Sequence, residues 1–224
     1  MIKPYFIFKN KSSENFDIVV NKLPPQQTID DEVEYIEIPG RDGYLTITKD
    51  RKTFLEKEIE ISIYDDTNIH YIKQWLKGSG DLILANEPDV FYKSRIQTIR
   101  DFEEVSKHGP VSLVFRWQPY GYLHSGQNKI IVDVEDTILY NSGEETKPYF
   151  KVSGNGLVDL FINNDKIILD IDEYVEIDSE LMESWKDTVN KPFIGKFPTF
   201  ANGENIISWT GDISKIEVIP RWRR

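Results

Sequence analysis

Apolar and polar residues alternate with a period of two along most of the chain, a pattern that predicts β-strands. The clearest case is 54–64, where Glu56, Glu58 and Glu60 fall between apolar residues. This alternation predicts a strand with one solvated face and one buried face. Strands are predicted on the same basis at 6–9, 16–20, 33–38, 45–48, 81–85, 91–99 and 111–117.

One segment of the first half has a helical period instead. In residues 65–78, apolar side chains recur at i, i+3 and i+7 from Ile69. Asp66 or Thr67 can cap the first turn, and Gly78 stands where a left-handed residue often ends a helix. The pattern therefore predicts one amphipathic helix among the strands.

The second half consists of short apolar stretches separated by turn residues. Strands are predicted at 129–134, 149–152, 157–162, 166–171, 174–177, 193–200, 206–210 and 213–221, with turns at 141–143, 154–156, 163–165 and 203–205. This spacing is typical of an all-β sandwich. The polar segment 124–128 has the composition of a linker, so two domains are expected, 1–124 and 125–224. The fold class is therefore mainly β (α+β).

Two turn signals stand side by side in the segment 36–47. Pro39-Gly40 has the order of a type II turn, and Asp42-Gly43 is a dipeptide of two-residue hairpins. With alternating residues on both sides, the segment predicts a β-hairpin whose irregular tip depends on glycine. On the residues alone, it could be an ordinary surface hairpin.

The composition excludes several classes of function. The chain has 224 residues, 39% of them hydrophobic, and no cysteine, so cysteine nucleophiles and cysteine zinc sites are excluded. Its formal net charge of −11 argues against a surface that grips phosphates, so no specific binding of nucleic acid is expected. No signal peptide is apparent, and no apolar window approaches the ~20 residues of a membrane span, so no membrane association is expected.

Candidate chemistry is sparse. The three histidines, at 70, 108 and 124, have no spacing that suggests a metal site or a catalytic triad, and Gly78-Ser79-Gly80-Asp81 lacks the lysine of a phosphate loop. A carboxylate cluster offers a glycosidase pair or a calcium site, although alternation places part of it on a solvated face. Its members are Asp170, Asp172, Glu173, Glu176 and Asp178. We expect no enzyme, no catalytic residue, no cofactor and no bound metal.

Three tryptophans, Trp185, Trp209 and Trp222, could form a platform on which sugars stack, or could be core and interface aromatics. The first possibility makes a carbohydrate-binding module that contacts host cell-wall glycans the alternative function.

The hairpin and several other segments resemble a known family. The string Pro39, Gly40, Arg41, Asp42, Gly43, the turn at 10–13, the exit at 119–122, the stretch 203–209 and the ending 220–223 follow one another in the order found in distal tail (Dit) proteins of long-tailed, non-contractile bacteriophages. The chain resembles this family over most of its length.

The resemblance implies a structural virion protein located at the tail tip and made in the host cytoplasm. It implies that the first domain forms a hexameric ring, a homo-oligomer with a DNA-passage channel, between the tail tube end and the baseplate or tip. It further implies a galectin-like β-sandwich as the second domain. The implied partners are the tail tube protein, the tail tip or tail-associated protein, and receptor-binding or baseplate proteins. The hairpin would then be an inter-subunit contact.

Overall fold

The computed structural model describes residues 3–26, 32–40, 42–49, 52–63, 69–100 and 110–224. The chain divides into two compact units, Met1–Gly121 and Tyr122–Arg224. We refer to them as unit 1 and unit 2.

Unit 1 is built on one antiparallel sheet. Its elements are β1 (Phe6–Phe8), β2 (Lys11–Ser12), β3 (Ile18–Lys22), β4 (Glu32–Glu37), β5 (Tyr44–Lys49), β6 (Leu55–Ile63), α1 (Ile69–Trp75), β7 (Ser79–Leu84), β8 (Glu87–Arg100) and β9 (Val111–Trp117). The strand order in the sheet is β2-β1-β7-β8-β9-β6-β3. β4 and β5 stand apart and pair with each other in a two-stranded sheet.

The core of unit 1 lies between one face of the sheet and α1. Alternate residues of β9, from Val111 to Trp117, are buried, as the sequence pattern predicts. Ile72 and Leu76 of the helical segment are fully buried in the same core. Trp75 stacks on Phe6 with ring centroids 5.6 Å apart. Stacking of this kind adds about 0.5–1.5 kcal/mol to the burial of the two rings.

The helix is shorter at its carboxyl end than predicted. It ends at Trp75, and Gly78 follows with a φ of +83°, the left-handed conformation expected of it. The predicted cap at Asp66 or Thr67 lies outside the described residues. The second strand also starts later than predicted, at Ile18, because a 3₁₀ turn occupies Ser13–Phe16.

Unit 2 is built on long strands. Its elements are β10 (Tyr122–Leu123), β11 (Ile130–Val132), β12 (Thr137–Asn141), β13 (Tyr149–Ile162), β14 (Asp165–Asp178), β15 (Glu183–Lys186), β16 (Val189–Asn190) and β17 (Gly203–Ile219). The strand order is β11-β17-β13-β14-β15-β16, and β12 pairs with the first part of β17.

The prediction of short strands separated by turns is wrong at three places. The sequence Gly154-Asn155-Gly156 lies inside β13, which runs through it with a shift in register against β17. β14 likewise continues through Glu173, and β17 through Gly211, both at positive φ. Each feature that predicts a turn is here a bulge or a bend within a strand, which redirects the chain without ending its pairing. The predicted turn at 203–205 is also wrong, because β17 begins at Gly203. The predicted strand at 193–200 is absent, and only isolated bridges occur there.

Backbone packing explains why glycine is needed at one of these bends. A Cβ atom at Gly154 would lie 2.0 Å from the carbonyl oxygen of Asp212 on β17. The two strands can approach so closely only because residue 154 has no side chain.

The bent strands enclose one hydrophobic core. Its members come from both halves of β13, for example Phe150 and Leu160, which are fully buried. Both halves of β17 contribute as well, through Ile207 and Val218. The predicted mainly β fold is confirmed, with one α-helix among the described residues and a sandwich in unit 2.

The segment predicted as a linker belongs to unit 2. Residues His124–Gln127 form a 3₁₀ turn in which Gly126 is buried. Arg221 donates its backbone N–H to the Gly126 carbonyl at 2.7 Å, and Leu123 donates to the Trp222 carbonyl at 2.9 Å. The composition of 124–128 predicted a linker. Four of its five residues are exposed, and the buried Gly126 joins the segment to Arg221. That the two units fold independently stays a prediction.

A pair of fragments tests both the independence and the boundary. We expect residues 122–224 alone to unfold in a single cooperative transition, monitored by circular dichroism. A fragment of residues 125–224 loses the Leu123–Trp222 bond and the bridge between Tyr122 and Arg223. It should be less stable by about 1–2 kcal/mol, because each hydrogen bond contributes roughly 1 kcal/mol net. Equal stability would place the boundary after residue 124, and an unfolded longer fragment would contradict independence.

Candidate functional site

The predicted hairpin is present and forms a sheet of its own. β4 and β5 pair in register, with Ile36 opposite Leu45 and Glu37 opposite Tyr44. Neither strand pairs with any other described strand. An isolated two-stranded sheet is marginally stable in water, because it cannot bury a face by itself. The hairpin therefore lacks the support that the main sheet receives from α1.

Both faces of this hairpin expose apolar side chains. Directly opposed residues share a face, so Ile36, Leu45 and Ile47 lie together on one face, each 37–41% exposed. Tyr35 and Tyr44 lie on the other face and are 67% and 62% exposed. Their rings meet edge to face at 6.2 Å. Contiguous exposed apolar surface of this kind is typical of interaction sites.

One ion pair lies beside Ile36, Leu45 and Ile47 at the base of the hairpin. Lys49 Nζ lies 3.0 Å from a carboxylate oxygen of Glu34. Both side chains are on the face that carries Ile36 and Leu45. An ion pair so exposed contributes only ~1 kcal/mol or less, so it adds little to the stability of the strand pair.

The two glycines of the tip have the positive φ that the sequence predicts, although six residues rather than two separate β4 from β5. Gly40 and Gly43 have φ values of +83° and +86°, where side chains other than glycine are strained. A Cβ atom at either position would meet nothing within 4 Å, so the demand for glycine comes from the backbone alone. Pro39 and Asp42 flank these glycines and are exposed, and Arg41 lies outside the described residues. An inter-subunit role for this tip stays a prediction.

The carboxylate cluster is dispersed among separate ion pairs. Lys186 Nζ lies 3.1 Å from Asp172 and 3.0 Å from Glu173, and Lys151 Nζ lies 3.4 Å from Glu176. Across the described ranges, no group of three or more His, Cys, Asp or Glu residues is placed to hold a metal ion. His70 and His124 are exposed, and His108 falls outside those ranges.

Asp178 has a structural role at the end of β14. It is 5% exposed and binds Arg221 through both carboxylate oxygens, each at 2.7 Å. One of these oxygens also accepts the backbone N–H groups of Glu180 and Leu181. Burial alone would raise the pKa of Asp178, but the Arg221 guanidinium and the backbone donors outweigh it and lower the pKa. The pair ties the chain end to β14.

The tryptophans do not form one platform. Trp209 is buried in the core of unit 2, and Trp222 packs against the same core. Trp185 is half-buried and lines a groove of about 760 Å³ beside β15 and β16. Phe193 and Phe197 also line this groove, with ring centroids 4.9 Å apart.

Several strongly exposed apolar residues lie in or beside the groove. They are Leu181, Met182, Val189 and Ile194, each between 61% and 69% exposed. Sequence periodicity does not identify them, because they lie in turns, in a two-residue strand and in irregular backbone. The only available signal is the presence of apolar residues in a segment without alternation.

No helix in the part of the chain that the structure describes has the length and apolarity needed to cross a membrane.

Comparison with solved structures shows a similarity in fold. The chain is similar to the crystal structure of SPP1 Dit (gp 19.1), described as a paradigm of the hub adsorption apparatus in phages that infect Gram-positive bacteria. The TM-score is 0.73 at 15% sequence identity, and the alignment covers 96% of this chain and 97% of that chain. No family model matches the sequence, and no curated protein matches it. At this level of identity, the similarity establishes a shared fold.

The Asp178–Arg221 pair predicts a pH-dependent stability of unit 2. Because the folded pKa is lowered, the stabilisation is present above the unfolded value near 3.8 and is lost as the pH falls through the folded pKa. Asp178→Asn should lower the free energy of unfolding at pH 7 by about 1.5–3 kcal/mol. The difference from the wild type should shrink below about pH 4. Chemical denaturation at both pH values measures this.

A matched control is Asp170→Asn, since Asp170 is exposed on the same strand. It should change stability little at either pH. A constant difference between wild type and Asp178→Asn from pH 7 to pH 3 would contradict the assignment.

The hairpin should be the least protected part of unit 1 in the isolated chain. We expect amides of β4 and β5 to exchange with deuterium far faster than those of β9, which lies inside the main sheet. Hydrogen exchange monitored by mass spectrometry measures the difference. Protection of the hairpin equal to that of β9 in a monomeric sample would show that it needs no partner.

Proposed function

We propose that this protein is a structural component of a phage tail, a hub between the end of the tail tube and the baseplate or tip adsorption apparatus. The observation that carries the proposal is a shared fold with SPP1 Dit that extends over nearly the whole of both chains. A match confined to one unit would leave the other without a role. In this proposal the protein is located at the virion tail tip after synthesis in the host cytoplasm, and it has no catalytic activity.

The hub is a hexameric ring with a central channel for DNA. The support in this chain is the hairpin, whose apolar faces have no partner within the described residues. A neighbouring copy can cover Ile36, Leu45 and Ile47, and each copy in turn offers its own hairpin. Such head-to-tail contacts produce a closed ring when the rotation between copies closes.

The partners of the ring are other tail proteins. One end meets the tail tube protein, and the other meets the tail tip or tail-associated protein. Receptor-binding or baseplate proteins bind unit 2. The groove beside β15 and β16 suits this last role, because Leu181 and Met182 expose apolar surface at it. A protein that binds there removes this surface from water.

A carbohydrate-binding module remains the second candidate. Its support is Trp185, an aromatic side chain in an open groove with polar neighbours such as Asn190 and Asp187. Molar mass in solution separates the two functions. The hub predicts a species near six times 26.2 kDa, whereas the module predicts a monomer that binds added cell-wall glycan.

The hairpin tip offers a test of ring assembly. We expect Gly40→Val with Gly43→Val to leave the circular dichroism spectrum nearly unchanged and to abolish the ring in light scattering. Each substitution costs about 1–2 kcal/mol at positive φ, and the distorted tip misplaces the same contact at every interface. Arg41→Ala should weaken the ring less, because an exposed ion pair contributes ~1 kcal/mol or less.

The control places the same backbone strain outside the hairpin. Gly156 and Gly203 in unit 2 also have positive φ and open space where a Cβ atom would lie. Gly156→Val with Gly203→Val should therefore keep the ring. A ring that survives the hairpin substitutions, or one that the control also abolishes, would show that the hairpin is not the assembly contact.

A further inference from the structure

Two arginines face each other across the main sheet of unit 1. Arg95 on β8 is directly opposite Arg116 on β9, so their side chains leave the same face of the sheet. Like charges in this position repel and destabilise the strand pair. Neither guanidinium forms an ion pair with any residue that the structure describes. This is unexpected in a chain with 38 acidic and 27 basic residues, in which counter-ions are abundant.

The arginines line a cleft of about 490 Å³ on unit 1. Lys93 and Asp81, which are opposite each other in the neighbouring strand pair, also line it, as does Ser79, which is opposite Arg95. Glu56 of β6 is opposite Arg116 and adds a second carboxylate to this face of the sheet. The cleft and the adjacent Glu56 thus carry three cationic side chains and two carboxylates, a net positive charge in a chain that is negative as a whole, which favours anions.

One guanidinium is held in place before any ligand binds. The central carbon of Arg116 lies 3.0 Å from the centroid of the Phe54 ring, so the planar group is stacked on the aromatic face. Stacking leaves the N–H groups at the rim of the guanidinium available. It also reduces the rotamer entropy that ordering the side chain on a ligand would otherwise cost.

We propose that this cleft is an oxyanion-binding site that takes a carboxylate or phosphate group between Arg95 and Arg116. Two guanidinium groups can hold the oxygens of one such anion by paired, charge-assisted hydrogen bonds. The anion removes the repulsion between the opposed arginines. The same chemistry can come from an acidic side chain of a second copy of this chain or from free phosphate. The site does not depend on the hub function, because free phosphate can be tested on a single chain.

The first measurement is thermal unfolding of the full chain with sodium phosphate or with sodium chloride at matched ionic strength. We expect a saturable rise in Tm with phosphate that Arg95→Gln with Arg116→Gln abolishes. Without phosphate, the single variant Arg95→Gln should be at least as stable as the wild type, because it removes a like-charge repulsion and keeps the stack of Arg116 on Phe54. A purely structural role of the arginines predicts the opposite, a lower Tm and an unchanged response to phosphate.

Two further variants serve as controls. Arg95→Lys with Arg116→Lys keeps both charges but loses the paired donors, so the response to phosphate should be reduced. Lys22→Gln removes an exposed charge from β3, outside the cleft, and should leave the response intact. If the double glutamine variant does not fold because Phe54 loses its stacked neighbour, the single variant Arg95→Gln makes the same test.

The second measurement is molar mass by light scattering at low phosphate. It distinguishes the two sources of the anion, a second copy of this chain and free phosphate. A mass that falls in the glutamine variants, and that phosphate lowers in the wild type, assigns the anion to a second copy. A mass that does not change, together with a rise in Tm that depends on the arginines, assigns it to free phosphate. If neither the mass nor the Tm response depends on the arginines, the proposal is overturned.

Discussion

A hairpin of two strands cannot bury both of its faces, and the hairpin of unit 1 keeps apolar side chains exposed to water. Its main sheet is covered on one face by α1, so Phe115 and Leu113 are fully buried. The sheet formed by β4 and β5 has no such cover among the described residues, although its strands carry Ile36, Leu45 and Ile47. The free energy gained by covering them is available only to a contact with another surface.

Unit 2 forms its sandwich from a few long strands. β13, β14 and β17 are long enough to contribute to both halves of the core, and bends inside them redirect the chain. At the bend in β13, Gly154 allows its backbone to approach that of Asp212. The chain end is then fixed by Arg221, which binds the buried carboxylate of Asp178. The pairing of β13, β14 and β17 is therefore continuous, whereas a sandwich made of separate short strands would need more turns.

The charge of the chain is distributed unevenly. Several carboxylates in unit 2 form ion pairs with lysines, such as Asp172 and Glu173 with Lys186. In unit 1, by contrast, Arg95 and Arg116 concentrate positive charge in one cleft of an acidic protein. Net charge alone therefore describes the behaviour of the whole molecule in solution and does not describe its individual sites.

Local sequence determined much of unit 1. Alternation assigned β9 and its buried face from Val111 to Trp117, and the turn dipeptides assigned the hairpin and the positive φ of Gly40 and Gly43. These features depend on neighbours in sequence, because strand alternation and turn conformation are properties of a few consecutive residues.

Tertiary structure decided the rest. Gly154 and Gly156 predict a turn when only the local sequence is considered. Whether a flexible residue ends a strand or bends it depends on the partner strand. Residues 124–128 have the composition of a linker, yet the backbone of Arg221 orders them from the far end of the chain. The facing of Arg95 and Arg116 follows from register, a relation between segments that no local pattern contains.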